Sequence, residues 1–171
     1  MSQPTPLGAS WRGLAAGAIG TAAMDLLQFY RYRRGGGQTG FVEQEFTPGL
    51  SSFEEAPAPA KIGKRVVEGV FQHEVPDRRA ALVNNVMHWS YGIGWGMPYA
   101  IVVGSIGSLP TVRSGAAFGS IVWASDYVLL PLAKLYEPIW KYDAKTLADD
   151  LTSHVAYGVA TAIAFRLLSP D

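Results

Sequence analysis

The sequence predicts an all-α membrane protein, a bundle of four transmembrane helices built from two similar helix hairpins. Apolar residues make up 49% of the 171-residue chain and charged residues 16%, whereas a soluble domain usually has about 25% charged residues. The pattern His-x-x-Tyr-Gly occurs twice, at 88–92 and at 154–158. Each copy lies in a long apolar stretch and follows another apolar stretch that contains one aspartate, Asp25 or Asp126. These observations favour a duplicated pair of membrane helices.

Composition excludes several classes of function. The chain has 14 basic and 14 acidic residues, so it has no net field that would attract nucleic acid. It has no cysteine, which excludes disulfides, thiol catalysis and cysteine-bound metals. It contains no phosphate-binding glycine loop, no His-Glu-x-x-His pattern and no nucleophile elbow, so an enzyme is not predicted. Residues 1–10 predict a short disordered tail without the basic region of a cleavable signal peptide, so the first apolar segment is expected to be retained.

The first predicted span covers residues 13–30, which include one charged residue, Asp25. Its 18 residues come close to the roughly 20 mostly apolar residues that a membrane helix needs. A buried helix of a soluble protein is the alternative. The glycine run at 35–37 ends the helix.

A polar region, 31–80, separates the first two predicted spans. Residues 38–57 contain turn signals and predict a loop. Residues 59–71 predict an amphipathic helix, because charged side chains occupy one face and apolar side chains recur on the other. The apolar positions are Ile62, Val66, Val67, Val70 and Phe71. This helix is expected to lie on the membrane surface, to pack on the bundle or to serve as an ordinary connection.

Three further apolar stretches predict the remaining spans, at 82–104, 115–132 and 149–168. The second span is apolar except for a few polar residues, among them His88. The third span has Asp126 as its only charged residue, and the fourth begins at a pair of aspartates. The whole chain is therefore predicted to form a single membrane domain.

The basic residues predict the orientation of these spans. Eleven of the 14 lie in the connections that follow spans one and three, at Arg31, Arg33, Arg34, Lys61, Lys64, Arg65, Arg78, Arg79, Lys134, Lys141 and Lys145. The opposite side has the other three, Arg12, Arg113 and Arg166. Because basic loops tend to remain cytoplasmic, both connections are predicted to be cytoplasmic and both termini to lie outside.

Small residues four positions apart recur in the predicted spans. The glycines concerned are Gly13, Gly17, Gly92, Gly96, Gly115, Gly119 and Gly158. Lipid gives helices no hydrophobic reason to associate, so close backbone contact through small residues is the usual solution. The glycines predict a tightly packed bundle, and the two similar hairpins predict a parallel repeat about an axis along the membrane normal.

Six titratable side chains are expected to form one polar layer in the cytoplasmic half of the bundle. They are Asp25, His88, Tyr91, Asp126, His154 and Tyr157. An aspartate at this depth is costly unless it faces a partner, so a histidine or tyrosine of a neighbouring helix is expected to bind each one. The layer is interpreted as a structural lock between helices or as a site that handles protons or ions. A third possibility is that His88 and His154 bind a haem between the helices.

The stretch His-Trp-Ser-Tyr-Gly-Ile-Gly-Trp-Gly-Met-Pro-Tyr at 88–99, after a first span rich in glycine and alanine, is similar to small bacterial multi-pass proteins of unknown function, the YagU-like group among them. The similarity covers mainly the first two spans. It implies a helical bundle in the bacterial inner membrane and implies no catalytic residues.

The function that these features favour is a non-enzymatic membrane protein, an accessory or assembly component in which the polar layer is structural. A small proton- or ion-coupled transporter or channel that uses the layer is the first alternative, and a haem-binding electron carrier is the second. The expected partners are the lipid bilayer and other membrane subunits or further copies of the chain, and not nucleic acid. Neither a metal nor a cofactor other than the alternative haem is expected.

Overall fold

The structure, a computed structural model, describes residues 5–46, 49–106 and 110–169. In these ranges the chain is all-helical, with no β-strand and six α-helices. The helices are α1 (Pro6–Arg34), α2 (Phe41–Phe46), α3 (Ala58–Val70), α4 (Ala80–Ile106), α5 (Val112–Leu132) and α6 (Ala144–Leu168). Short 3₁₀ turns, Asp77–Arg79 and Ile139–Lys141, precede α4 and α6.

Two helices begin at residues that differ from the sequence prediction. Residues 6–10 belong to α1 and are not a disordered tail, because Thr5 caps the helix by accepting from the Gly8 amide at 3.2 Å. Residues 1–4 lie outside the described part of the chain. Helix α6 begins at Ala144 and not near residue 149, because Asp143 accepts from the Thr146 amide at 3.0 Å.

Four long helices form the body of the protein. Helix α1 packs against α4 on one side and α6 on the other, and α5 packs against α6. The helices therefore follow one another in space as α4, α1, α6 and α5. Within the described ranges α4 and α5 do not pack closely, although they are consecutive along the chain. We refer to α1 with α4 as the first pair and to α5 with α6 as the second pair.

Glycines allow close backbone contact within both pairs. A Cβ atom built on Gly17 would lie 2.8 Å from the carbonyl oxygen of Gly92 in α4. A Cβ atom built on Gly115 would lie 2.6 Å from the carbonyl oxygen of Gly158 in α6. Neither position has room for a side chain, so the backbones of each pair touch directly.

Aromatic side chains fill part of the space between α4 and α5. The ring of Phe118 in α5 lies 4.7 Å from the ring of Tyr99 and 6.3 Å from that of Trp95, both in α4. It also lies 5.8 Å from the ring of Tyr157 in α6. Phe118 thus connects the two pairs where their backbones are apart.

Among the described helices, α5 and α6 are long and apolar enough to cross a membrane. Helices α1 and α4 are longer than α5 but lack a stretch of equally apolar residues. The structure therefore shows an all-helical protein with two possible membrane-spanning helices, and a bundle of four spans remains a prediction.

The two polar connections meet at one end of the bundle. Arg65 in α3 donates to the carbonyl oxygen of Ala133, just after α5, at 2.6 Å. Arg31 at the end of α1 donates to the Asp149 carbonyl oxygen at 2.6 Å and to the Ser153 hydroxyl at 2.8 Å, both in the N-terminal half of α6. We call this end of the bundle the polar end.

The polar region between α1 and α4 contains more helix than predicted. The predicted amphipathic helix is α3, which packs on α4. The predicted loop 38–57, in contrast, contains α2. The ring of Phe41 lies 5.3 Å from that of Phe29 in α1, and this tertiary contact stabilises a helix too short to show periodicity in the sequence.

Candidate functional site

A cavity of about 540 Å³ lies between the helices, towards the polar end. Residues from each of the helices α1 to α6 line it, and we call it the central cavity. The predicted polar layer lies in its wall. All six members line the cavity, namely Asp25, His88, Tyr91, Asp126, His154 and Tyr157.

The first pair contributes a direct contact between its aspartate and its histidine. Nε2 of His88 in α4 lies 2.8 Å from Oδ1 of Asp25 in α1. Asp25 is only 5% exposed. Its second oxygen, Oδ2, is buried and has no hydrogen-bond partner among the residues that the structure describes. Half of the carboxyl group is therefore an unmet hydrogen-bond acceptor within the described part of the chain.

The second pair contains the equivalent contact with more partners. Nε2 of His154 in α6 lies 3.4 Å from Oδ2 of Asp126 in α5. Nδ1 of His154 donates to the carbonyl oxygen of Asp150 at 2.9 Å and lies 3.3 Å from its carboxyl Oδ1. Both nitrogens thus face acceptors, an arrangement that suits a doubly protonated ring. The other oxygen of Asp126 accepts from the Tyr91 hydroxyl at 2.5 Å.

The two tyrosines of the repeated pattern connect one pair to the other. Tyr91, in the first pair, reaches Asp126 in the second. Tyr157, in the second pair, donates to the carbonyl oxygen of Gly92 in the first at 2.6 Å. In each copy of His-x-x-Tyr-Gly the histidine therefore binds within its own pair and the tyrosine binds across.

The predicted packing glycines lie at these helix contacts. A Cβ atom on Gly96 would collide with the backbone of Gly13, and one on Gly119 with the backbone of His154. Gly20, which the sequence analysis did not single out, also lies at such a contact, against Tyr157 and Thr161 of α6. Gly20 follows Gly17 by three positions, and this spacing could have indicated a packing position because small residues are common along a packed helix face.

The cavity also has polar residues outside the predicted polar layer. Glu45 in α2 accepts from the side chains of Trp89 and Asn85, at 2.7 Å and 3.0 Å. Asn84 lines the cavity, and its buried Oδ1 lacks a hydrogen-bond partner in the described part of the chain. The sequence places Asn84 at the start of the second span, a useful signal, whereas nothing in the sequence of the short α2 indicates that Glu45 reaches the bundle.

The cavity wall is acidic. Four carboxyl groups and two imidazoles, but neither lysine nor arginine, occur among the described residues that line it. The carboxyl groups belong to Asp25, Glu45, Asp126 and Asp150. Burial, and after it the nearby carboxyl groups of Asp150 and Asp126, raises the pKa of the Tyr136 phenol above its usual value.

The geometry does not favour the haem alternative. An imidazole must present a nitrogen to bind iron, but Nε2 of His88 and both nitrogens of His154 face aspartates. Among the described residues no three histidine or acidic side chains converge in a way that would hold a metal ion. Iron bound through Nε2 of His88 would displace the contact with Asp25, and iron bound through either nitrogen of His154 would displace a contact with Asp126 or Asp150.

Comparison of the chain with protein-family models, with curated proteins and with solved structures gave no match. The similarity to the YagU-like group therefore remains an expectation based on the stretch 88–99.

Proposed function

We propose that this protein is an integral membrane protein of four spans that moves a proton or another small ion across the bilayer through the central cavity. The observation that carries the proposal is Oδ2 of Asp25, which has no partner among the described residues although it is buried in the cavity wall. A buried carboxyl group is costly within a membrane, and a purely structural one is expected to use both oxygens. Transport gives that oxygen a role, because a proton or cation can bind there.

The outer surface of the bundle supports four spans. Large apolar side chains are exposed along one side of α1, at Leu7, Trp11, Ile19, Leu26 and Tyr30. Helix α4 likewise exposes Leu82, Val86, Ile101, Val102 and Ile106. Soluble monomers rarely expose apolar surface on this scale, whereas lipid-facing helices do so along their length. Polar residues of α1 and α4, among them Thr21, Asp25, Asn84 and His88, line the cavity instead of the outer surface.

The distribution of basic residues gives the proposed orientation. Eleven of the 14 lie in the connections at the polar end, so we place this end in the cytoplasm, both termini outside and the protein in the bacterial inner membrane. The central cavity is then nearest to the cytoplasmic side. Two similar hairpins, related as a repeat, would form the transport path between them.

A row of hydrogen-bonding groups leads from the polar end into the bundle. It runs from Asp150 through His154 to Asp126 and on to Tyr91. Tyr91 and His88 are three residues apart and so share one face of α4. Histidine changes its charge near neutral pH, and chains of acidic groups and histidines serve as proton relays in membrane proteins.

A structural role in an assembly is the second candidate. Tyr157 joins α6 to the Gly92 carbonyl oxygen of α4, and both oxygens of Asp126 have partners. These contacts would hold the helices in register even if nothing moved through the cavity. An accessory component of this kind should co-purify with other membrane subunits, and isolation as a homo-oligomer alone would count against it.

The test uses the purified protein in liposomes that contain a pH-sensitive dye. A pH gradient is imposed, the membrane potential is set with K⁺ and valinomycin, and proton flux is recorded with external Na⁺ or guanidinium. We expect flux above that of empty liposomes with at least one of these cations. The Asp25→Asn variant should lose the flux, because its side chain cannot exchange a proton in the same way.

Glu55→Gln is the matched control, since Glu55 is exposed and is not among the residues that line the cavity. It should keep the flux of the natural chain. Correctly folded protein with no more flux than empty liposomes, with either cation, would contradict the proposal and favour the structural role. Helical content measured by circular dichroism shows whether each variant is folded.

A further inference from the structure

We propose that the central cavity binds an organic cation that carries N–H donors, such as a protonated amine or a guanidinium group, with Asp25 as its principal partner. This assignment names the substrate class of the proposed transporter and rests on that proposal. Binding can nevertheless be measured without transport. The charge of the cavity, its aromatic lining and its unpaired hydrogen-bond acceptors all favour such a ligand.

The charge of the lining favours a cation. The described lining residues include four carboxyl groups but only two imidazoles and neither lysine nor arginine, so acidic groups exceed basic groups by two. Arg31, a basic residue at the polar end, is not among the residues that line the cavity and already binds Asp149 and Ser153 of α6. A positively charged ligand would balance the excess that the protein leaves.

The shape and the aromatic content favour an organic ion. The cavity volume of about 540 Å³ is in the range of roughly 300–1,000 Å³ that is usual for small-molecule sites. Six aromatic rings occur in the described part of its wall, from Phe29, Phe41, Tyr91, Trp95, Tyr136 and Tyr157. Ring faces attract organic cations, and guanidinium groups also stack on them.

Two buried hydrogen-bond acceptors of the cavity have no partner in the described chain, which favours a ligand that donates hydrogen bonds. Oδ2 of Asp25 and Oδ1 of Asn84 are buried acceptors without partners among the described residues, and both side chains line the cavity. An unmet buried acceptor is unfavourable, and an N–H group of a ligand would satisfy it. A quaternary ammonium has the charge but has no N–H to donate.

A metal ion fits the site less well. In the described chain, no group of three acidic or histidine side chains is arranged so that it could hold a metal ion. The carboxyl oxygens are instead distributed around an aromatic cavity, where Asp126 is already bound by Tyr91 and His154. This distribution suits an extended cation with several donors better than a small spherical one.

The experiment is a calorimetric titration of the full chain in detergent with three probes of matched shape. Benzylguanidinium has the charge and the donors, benzyltrimethylammonium has the charge only, and benzylurea has the donors only. We expect benzylguanidinium to bind at least about tenfold more tightly than either of the others. The Asp25→Asn variant should weaken benzylguanidinium binding by a similar factor, and Glu55→Gln should not change it.

The order of the three probes on the natural chain tests the inference even if the Asp25 variant does not fold. Equal binding of benzylguanidinium and benzylurea would overturn it, and so would tighter binding of Ca²⁺ than of benzylguanidinium. Proton flux in liposomes without benzylguanidinium binding would overturn the substrate class and leave transport standing. Binding without flux under any condition would support the site and overturn transport.

Discussion

The α1–α4 pair and the α5–α6 pair contain the same contacts but use them differently. Each pair joins an aspartate on one helix to a histidine on the next, beside a contact made by glycines. In the first pair the aspartate has His88 as its only hydrogen-bond partner among the described residues, and the contact is short, at 2.8 Å. In the second pair Asp126 has two partners and His154 is held from both sides.

This difference indicates that the two pairs have different roles. A carboxyl group that already has two partners contributes to stability and has little capacity for a ligand. A carboxyl group with a spare oxygen contributes less to stability and can bind a proton or cation. The second pair therefore resembles a structural lock, whereas the first pair has the features of a binding site. The two roles inferred for the polar layer need not exclude each other.

Replacing the two aspartates by alanine gives the largest expected contrast. Asp126→Ala removes the partner of both Tyr91 and His154 and should lower the free energy of unfolding by about 3 kcal/mol. Asp25→Ala removes the hydrogen-bond partner of His88. It also removes a buried oxygen that has no hydrogen-bond partner within the described chain, so the free energy of unfolding should fall by only about 1 kcal/mol. Reversible unfolding in mixed micelles measures both values.

Binding should show the opposite order. The Asp25→Asn variant should lose benzylguanidinium binding, whereas Asp126→Asn should keep most of it if the protein is folded. The inference that the two pairs have different roles would be wrong if both variants lost stability and binding to the same extent. Glu55→Gln again serves as the control, because its carboxyl group is exposed.

Substitution of the packing glycines should affect both pairs alike. A Cβ atom on Gly96 meets the backbone of Gly13, and one on Gly119 meets the backbone of His154, so Gly96→Ala and Gly119→Ala should each cost about 1–3 kcal/mol. Gly94 is the matched control. A Cβ atom there has no described atom within 4 Å, and alanine is the better helix former, so Gly94→Ala should be neutral or slightly stabilising.

Thermal unfolding in detergent, followed by circular dichroism, measures these effects. A fall in the midpoint for Gly94→Ala as large as that for Gly96→Ala would show that loss of glycine flexibility, and not close packing, determines the result. A fall for only one of the two packing variants would show that the pairs are not built alike.

The sequence indicated the helical fold and the members of the polar layer, because both depend on local pattern. Long apolar stretches predict helices wherever they occur, and an aspartate within one needs a polar neighbour. The partners were less predictable. The short α2 has too few residues for periodicity, so the contact of Glu45 with Trp89 arises only from tertiary packing.

The different hydrogen bonding of the two histidines could not be predicted from the sequence either. His88 and His154 occupy the same position in the repeated pattern, but only His154 follows an aspartate at the right distance, Asp150, one helical turn earlier. At the corresponding place before His88 the chain has Asn84, whose oxygen stays without a partner in the described structure. Whether such a residue faces the histidine or the cavity depends on how the helices are rotated against one another.

The two tyrosines test the connections between the pairs. Tyr91→Phe removes a hydrogen bond to a carboxyl group and should cost about 1.5 kcal/mol. Tyr157→Phe removes a hydrogen bond to the Gly92 carbonyl oxygen, which the helix interior already uses, and should cost about 0.5–1 kcal/mol. Unfolding in mixed micelles should rank them in this order. A larger loss for Tyr157→Phe would show that α4 and α6 are joined mainly through this one contact.

The smallest expected effect is local and concerns the start of the helices in the second pair. The N-cap residue of α5 is Thr111, whose side chain does not titrate. The N-cap residue of α6 is Asp143, whose side chain does. The hydrogen bonds from Thr146 lower the pKa of the Asp143 carboxyl group below its usual value of about 3.9. A group with a lowered pKa in the folded state stabilises that state above its unfolded pKa, and the contribution is lost as the pH falls through the folded pKa.

Acidification below about pH 4 should therefore loosen the first turn of α6 and leave the first turn of α5 unchanged. Hydrogen exchange at the Thr146 amide, divided by that in an Asp143→Asn variant at the same pH, isolates the effect because asparagine caps a helix without titrating. The ratio should rise as the pH falls. A constant ratio would show that ionisation of the Asp143 cap does not control the stability of the first turn of α6.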